Sequence, residues 1–329
     1  MSPKEAYEYA KKYGPSNETR EIACKHTEFA YLYALEVDKY PRENTRIAAC
    51  KHPGYAFFYA KDVDKCPRDD TREAVCKDSK YAFYYARDVD KCPREDTKKA
   101  TYIDPEHAHI EIDINDKYDT GCTYKTMLIH FYYKYLLEVD KKSEKNVRKI
   151  ACEYPNCAYH FAEMFDQKSR YDTRKAACQD PRYAYWYARS VDKCPRKDTR
   201  NAACKNPIYA FLYGKDIDKK SREDTRKSAC EDPKFAYLYA LNIDIKSEEN
   251  TRKAACKNAK YAYNYALNID KCSWENTRKA ACENPKYAYL YAKNVDKNFH
   301  EDTWKATKNT EFEEKYTKFL NQIEKSKII

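Results

Sequence analysis

The sequence predicts an all-α fold, a right-handed α-solenoid of about twelve 26-residue helix-turn-helix repeats. Three observations carry that prediction. Cys24, Cys50 and Cys76 stand 26 residues apart, and the interval resumes through Cys152, Cys178, Cys204, Cys230, Cys256 and Cys282. The aspartate of a Val/Ile-Asp-Lys signature keeps the same step at Asp38, Asp64, Asp90 and Asp116, then from Asp140 through Asp166, Asp192, Asp218, Asp244 and Asp270 to Asp296; only the step from Asp116 to Asp140 is short, at 24. Finally, an acidic or amide residue followed by proline recurs at Asp180-Pro181, Asn206-Pro207, Asp232-Pro233 and Asn284-Pro285. A partial copy spans Ala6 to Tyr13.

Each copy divides into two short helices. Asp180-Pro181 and its equivalents read as a helix N-cap with proline at the first helical position, where its missing N–H costs nothing. The helix that follows, here called YA, places Tyr183, Ala184, Tyr187, Ala188 and Val191 on one face at 100° per residue. The second helix, called TR, opens near Pro195; Ser221, Ser247 and Ser273 occupy that column in other copies and read as caps, with Asp or Asn three residues on. Thr173, Ala176 and Ala177 form its small-residue face, which allows close helix approach. One unit cannot bury enough area alone, so neighbours must stack, into a curved rod on the order of 100 Å long. Asp192, Asp198 and Asp224 recur in step with Arg196 and Arg200, which predicts ladders of surface ion pairs, each contributing about 0–1 kcal/mol.

The regularity sets four stretches: regular repeats over 1–96, degenerate copies over 97–172 as a hinge or functional insertion, regular repeats over 173–302, and a polar capping helix over 303–329. Composition narrows the class further. Mean hydropathy is −1.03, yet 34 tyrosines are not what a disordered chain carries. The 63 basic and 53 acidic side chains leave a net charge of +10, a modest bias toward polyanions. No run of about 18 apolar residues occurs and no leader precedes the repeats, so a cytoplasmic protein without a membrane partner is expected, its cysteines reduced. Four glycines leave no material for phosphate-cradling loops, no nucleophile has a readable paired base, and no cofactor is implied.

The segment AACKNAKYAYNYALNID, Ala254 to Asp270, resembles a short α-helical hairpin repeat of unknown function found in proteins of large DNA viruses, phages and some microbes. The alanine pair, the polar turn and the Tyr-Ala pair match in spacing over most of the chain outside 97–172, while proline stands here where glycine is usual at the turn. The resemblance implies a helical array and a viral or phage source, hence the cytoplasm of a host cell; it supplies no active site.

Candidate functional residues lie opposite the YA core stripe. Arg182, Trp186 and Arg189 occupy that side in one copy, and the equivalent positions hold Phe58 and Lys61, then Lys80, Tyr84 and Arg87, then Leu212 and Lys215, then Lys286, Leu290 and Lys293. Its middle column varies from Trp186 to Asn264 among copies that otherwise barely vary, as a recognition surface would, although Leu241 and Leu267 interrupt the basic column. Rings interleaved with cations can anchor an acidic protein segment or stack nucleic-acid bases. The bland alternative is a cover for the next repeat. The cysteines lie one repeat apart, or ten apart in Cys66 and Cys76, not at zinc-site spacing, and read as small apolar fillers. His107, His109, Glu111 and Asp113 form a metal-ligand set if extended, since a period of two puts all four on one face; a drifted repeat explains them equally. The expected function is a non-enzymatic binding or scaffolding protein holding a protein partner on a concave face. The alternatives are a nucleic-acid-binding solenoid and a helical-repeat hydrolase or glycosylase with its site at 107–113.

Overall fold

The computed structural model describes residues 1–102 and 129–327. They form an α-solenoid in two compact units, Met1–Asp166 and Gln167–Ile329, each a stack of tandem helix pairs. Among the described residues eleven YA helices alternate with eleven TR helices, a last helix follows at Glu313–Lys327, and no strand occurs. No helix among them is long and apolar enough to cross a membrane. His107, His109, Glu111, Asp113 and Asp116 lie outside the described residues.

The YA helices begin as their sequence predicts. Asn206 Oδ1 accepts the Ile208 N–H at 2.9 Å, and Asp180 accepts those of Arg182 and Tyr183 at 2.8 and 3.3 Å, with proline in the first turn. What the 100° projection misses is the second half. After Pro181–Trp186 the helix widens into a π turn, Tyr187–Asp192, and the same change recurs in every described YA helix after the first, as at Gly214–Asp218 and Ala240–Asp244. Bonds there run five residues back, as from Asp140 N–H to the Tyr135 carbonyl at 2.9 Å.

The π turn stops on a left-handed residue. That residue is the lysine of the Val/Ile-Asp-Lys signature in most copies, as at Lys193 with φ 54° and Lys219 with φ 52°. A chain with four glycines thus ends its helices on side chains that tolerate this region at a cost. In one copy the residue is Ile245, β-branched, φ 55° and 81% exposed, the least suited type for that conformation. Ile245→Asn is expected to stabilise the protein by about 1 kcal/mol, read as a higher urea midpoint with an unchanged denaturant slope.

A YA helix inside a stack has a neighbour on either flank as well as its own TR partner, so more than one stripe is buried. Tyr183, Ala184, Tyr187 and Ala188 are buried as expected, Tyr185 joins them, and Val191 is only half-buried. The TR face of Thr173, Ala176 and Ala177 is buried throughout.

The start of the TR helix corrects the expected serine caps. The N-cap is one residue later, at Arg196, Arg222, Glu248 or Trp274, and none of these gives a side-chain cap bond. Ser221 instead accepts from Arg226 at 2.5 Å. The orphan amide is satisfied through space. Tyr213 Oη, from the following YA helix, accepts the Arg196 N–H at 3.0 Å, lies 3.1 Å from the Arg196 carbonyl and 2.9 Å from Thr199 Oγ1. The same Thr–Tyr pair recurs at Thr45 and Tyr59, Thr71 and Tyr85, Thr225 and Tyr239, and Thr277 and Tyr291, every ring fully buried.

Two exceptions are informative. Val147 and Phe161, fourteen residues apart like the regular pairs, replace threonine and tyrosine together, so neither hydroxyl is stranded. Thr97, fourteen residues before Glu111, pairs instead with Tyr135 at 3.1 Å, and Lys98, eighteen before Asp116, pairs with Asp140 at 3.2 Å. The TR helix Glu95–Thr101 therefore stacks on the YA helix over 129–139, and the helices Glu144–Ala151 and Pro155–Phe161 continue the same alternation.

The Asp–Arg ladders exist, with Asp198 and Asp224 exposed beside Arg174 and Arg200 as expected, but the Val/Ile-Asp-Lys aspartates form a second column in the interior. Arg20 pairs with Asp38, Arg72 with Asp90, Arg148 with Asp166, Arg200 with Asp218 and Arg226 with Asp244, at 2.6–2.9 Å and with every carboxylate fully enclosed. The π turn ends on that aspartate and points it at the TR arginine eighteen residues earlier. Arg196 and Arg222, four residues past Asp192 and Asp218, add a second cation to each of those carboxylates at 3.0 and 3.1 Å. Such pairs gain far more from their attraction than exposed ones, and far more is lost when one partner is removed.

The C-terminal end also differs from a plain polar cap over 303–329. Glu301–Thr307 is a regular TR helix, and the final helix begins at Glu313. Tyr316 of that helix is fully buried and bonds Thr303 at 2.8 Å, so the cap is a modified YA helix with one apolar face.

Candidate functional site

The YA surface residues fall into two classes. Phe58, Lys61, Arg87, Arg189, Lys215, Lys286 and Lys293 are exposed, whereas Lys80, Tyr84, Arg182, Trp186, Leu212 and Leu290 are half-buried. The middle column leans on neighbouring YA helices. In the first unit Phe58 lies 6.0 Å from Tyr31, and Tyr84 lies 5.9 Å from both Phe57 and Phe131. In the second, Trp186, Leu212 and Leu290 each pack against the interior clusters of their repeats.

Most cations sit over interior rings rather than between the middle-column rings. Lys61 lies 5.4 Å from the Phe57 centroid, Lys215 5.9 Å from Phe211, Lys293 5.8 Å from Tyr289, Lys80 5.2 Å from Tyr81 and Lys286 5.9 Å from Tyr287. Arg87 and Arg189 do cover the middle column, at 5.0 Å from Tyr84 and 5.1 Å from Trp186. Several are also tied to acids: Lys61 to Asp88 at 3.2 Å, Arg87 to Asp88 at 2.6 Å and Glu138 at 3.5 Å, Arg189 to Asp216 at 4.0 Å. Arg182 donates to Tyr209 Oη at 3.1 Å. Within each unit the stripe is thus a surface of rings and cations with part of its charge compensated from the next hairpin.

Sequence reasoning missed the acids in that surface. Tyr31 donates to Asp62 at 2.9 Å and Tyr185 to Asp216 at 2.5 Å, while Asn268 and Asn294 donate to Tyr237 and Tyr263 at 2.9 and 2.7 Å. Each pair is 31 residues apart, and where the ring is Phe57 the corresponding Asp88 turns to Lys61 and Arg87 instead. The tyrosine-or-phenylalanine choice at one column, read against the residue 31 on, would have revealed it. Burial and the Asp216 carboxylate hold the Tyr185 phenol well above its ordinary value, so the ring stays neutral.

The cysteine column closes the TR helices, half-buried. Burial pushes the thiols of Cys24, Cys76, Cys230 and Cys256 up to about 11, and those of Cys50, Cys178, Cys204 and Cys282 to about 12. At pH 8 such thiols are thiolate in roughly one part in a thousand or less. Cys66, Cys92, Cys194 and Cys272 are exposed. Iodoacetamide at that pH is expected to label these four first and the half-buried column on the order of 100-fold more slowly, a difference that peptide mass spectrometry resolves.

Among the described residues no three His, Cys, Asp or Glu side chains converge as metal ligands would. Compared with known proteins, the chain matches no family model, no curated protein and no solved structure.

Proposed function

We propose that this solenoid is a non-enzymatic scaffold that holds an extended acidic protein segment along the outward side of its YA helices. The observation that carries the reading is the half-exposed middle column. It changes from Phe58 to Tyr84, Trp186, Leu212 and Asn264, while the alanine two places before it, as at Ala56 and Ala184, stays the same and stays buried. A fixed scaffold with one variable, accessible column is what side-chain-by-side-chain recognition of an extended ligand requires. The Arg189 guanidinium over Trp186, half-exposed, supplies an aromatic and cationic anchor of the kind that dominates such interfaces.

The test is a titration of the full chain with labelled acidic peptides and, separately, with single-stranded DNA and RNA, each at two salt concentrations. The scaffold reading expects peptide binding that weakens on the order of tenfold or more in the Trp186→Ala/Arg189→Ala variant. The ring and cation stripe also suits nucleic acid, and that alternative expects tighter binding of single strands with a steep loss on added salt. Preference for nucleic acid, or no effect of the double variant, removes the protein-segment reading.

A further inference from the structure

The copies that depart from the repeat pattern do so around one cavity of about 160 Å³ in the first unit. The departures are coordinated. Cys157 stands in the column that holds Tyr183 one repeat on, and the smaller side chain leaves the space a ring would fill. Three rings have been added around it. Tyr102 occupies the column of Cys24, Cys50 and Cys76; Tyr132 occupies the column of Ala158 and Ala184; Tyr154 occupies the N-cap column of Asp180. Tyr133, nearly fully buried, forms a further wall, and among the described residues Glu153 is the one charged member of the lining.

Two ring pairs define part of the wall, one edge-on and one tilted. Tyr102 and Tyr132 lie 5.3 Å apart at 85°, Tyr132 and Tyr133 5.6 Å apart at 44°. Burial raises the phenols of Tyr132 and Tyr133, so both remain neutral rings whose faces carry partial negative charge. Among the described residues no Lys, Arg or His lines the cavity, and the exposed Glu153 carboxylate supplies a negative charge. A cavity of about 150 Å³ holds a molecule the size of benzene, and a quaternary methylammonium group is of that size. Several ring walls with one carboxylate are what recognition of such a cation uses, because the group is too weakly hydrated to resist transfer and too bulky for a simple ion pair.

We propose that the Tyr102–Tyr132–Tyr133–Tyr154 cavity is a binding site for a methylated ammonium group, with Glu153 as its counter-charge. The chemistry is shared by a choline headgroup and a trimethylated lysine side chain, and the site is independent of the YA surface of the preceding proposal.

The test is calorimetric titration of the full chain with tetramethylammonium, choline and a trimethyllysine peptide, and with 3,3-dimethylbutan-1-ol as the neutral isostere of choline. Tetramethylammonium is expected to bind with a Kd on the order of 1 mM, and the isostere at least about threefold more weakly. Glu153→Gln and Tyr154→Leu are expected to weaken tetramethylammonium roughly threefold to tenfold each; Glu153 is exposed, so its variant keeps the fold whatever Tyr154→Leu does. Whichever of choline and the peptide exceeds tetramethylammonium identifies the source of the group. Binding of the isostere as tight as that of the cations, or unchanged affinity in Glu153→Gln, overturns the proposal, as does the absence of binding by all three cations.

Discussion

Asp218→Ala is expected to destabilise the repeats around it by about 3–5 kcal/mol. The Asp218 side chain is fully enclosed and accepts from Arg200 at 2.8–3.1 Å and from Arg222 at 3.1 Å. Without it Arg200, itself nearly buried, retains only Asp224 at 3.8 Å, and a guanidinium desolvated without its partner is what makes such a truncation costly. The double change Arg200→Met/Asp218→Leu removes both charges and is expected to lie within about 1 kcal/mol of the parent. Urea unfolding followed by circular dichroism gives the magnitude, and hydrogen exchange locates it, since damage in a tandem array stays close to the altered interface. A double variant as unstable as the single one would show that shape at this position, not charge compensation, sets the cost.

The second large effect belongs to the buried tyrosine. Tyr213→Ala is expected to cost about 3–5 kcal/mol through the lost ring and the cavity it leaves. Tyr213→Phe keeps the ring but strands the Arg196 N–H and leaves the Thr199 hydroxyl only the Arg196 carbonyl at 3.3 Å, and is expected to cost about 1–3 kcal/mol. Adding Thr199→Val to Tyr213→Phe removes a hydroxyl left with one long bond and is expected to recover part of that loss. The chain already holds this combination at Val147 and Phe161, both fully buried. The same unfolding measurements check all three variants, and a Tyr213→Phe protein as stable as the parent would show that the helix start needs no partner from the next hairpin.

Both effects come from pairings that the sequence displays without interpreting. The periodic columns made the helix pairs, their order and the alanine-lined interior legible, because these follow from local capping and from a repeat that each unit restates. The YA starts were readable at Asp180 and Asn206 since a cap is a local bond. The TR starts were not, because Ser221 and Ser273 resemble caps while the amide is satisfied by a tyrosine seventeen residues further on. For the same reason the ladder of aspartates was visible as a column but misplaced at the surface, since burial is a property of what lies on either side. Among the site residues, the exposed cations were legible by position; the acids that hold Lys61 and Arg189, and the enclosed space beside Cys157, were not.

By itself the sequence determined an all-helical tandem array, its 26-residue step, the identity of its small-residue interior and the place where its copies diverge. The tertiary structure decided the π turn that aims aspartates such as Asp218 at an arginine eighteen residues back, the tyrosine that replaces a local cap, the pairing of Thr97 with Tyr135, and the gathering of four tyrosines around one cavity. The division has a physical cause: helix periodicity and capping are short-range and repeat with the chain, whereas desolvation and hydrogen-bond satisfaction depend on which neighbour the stack brings into contact.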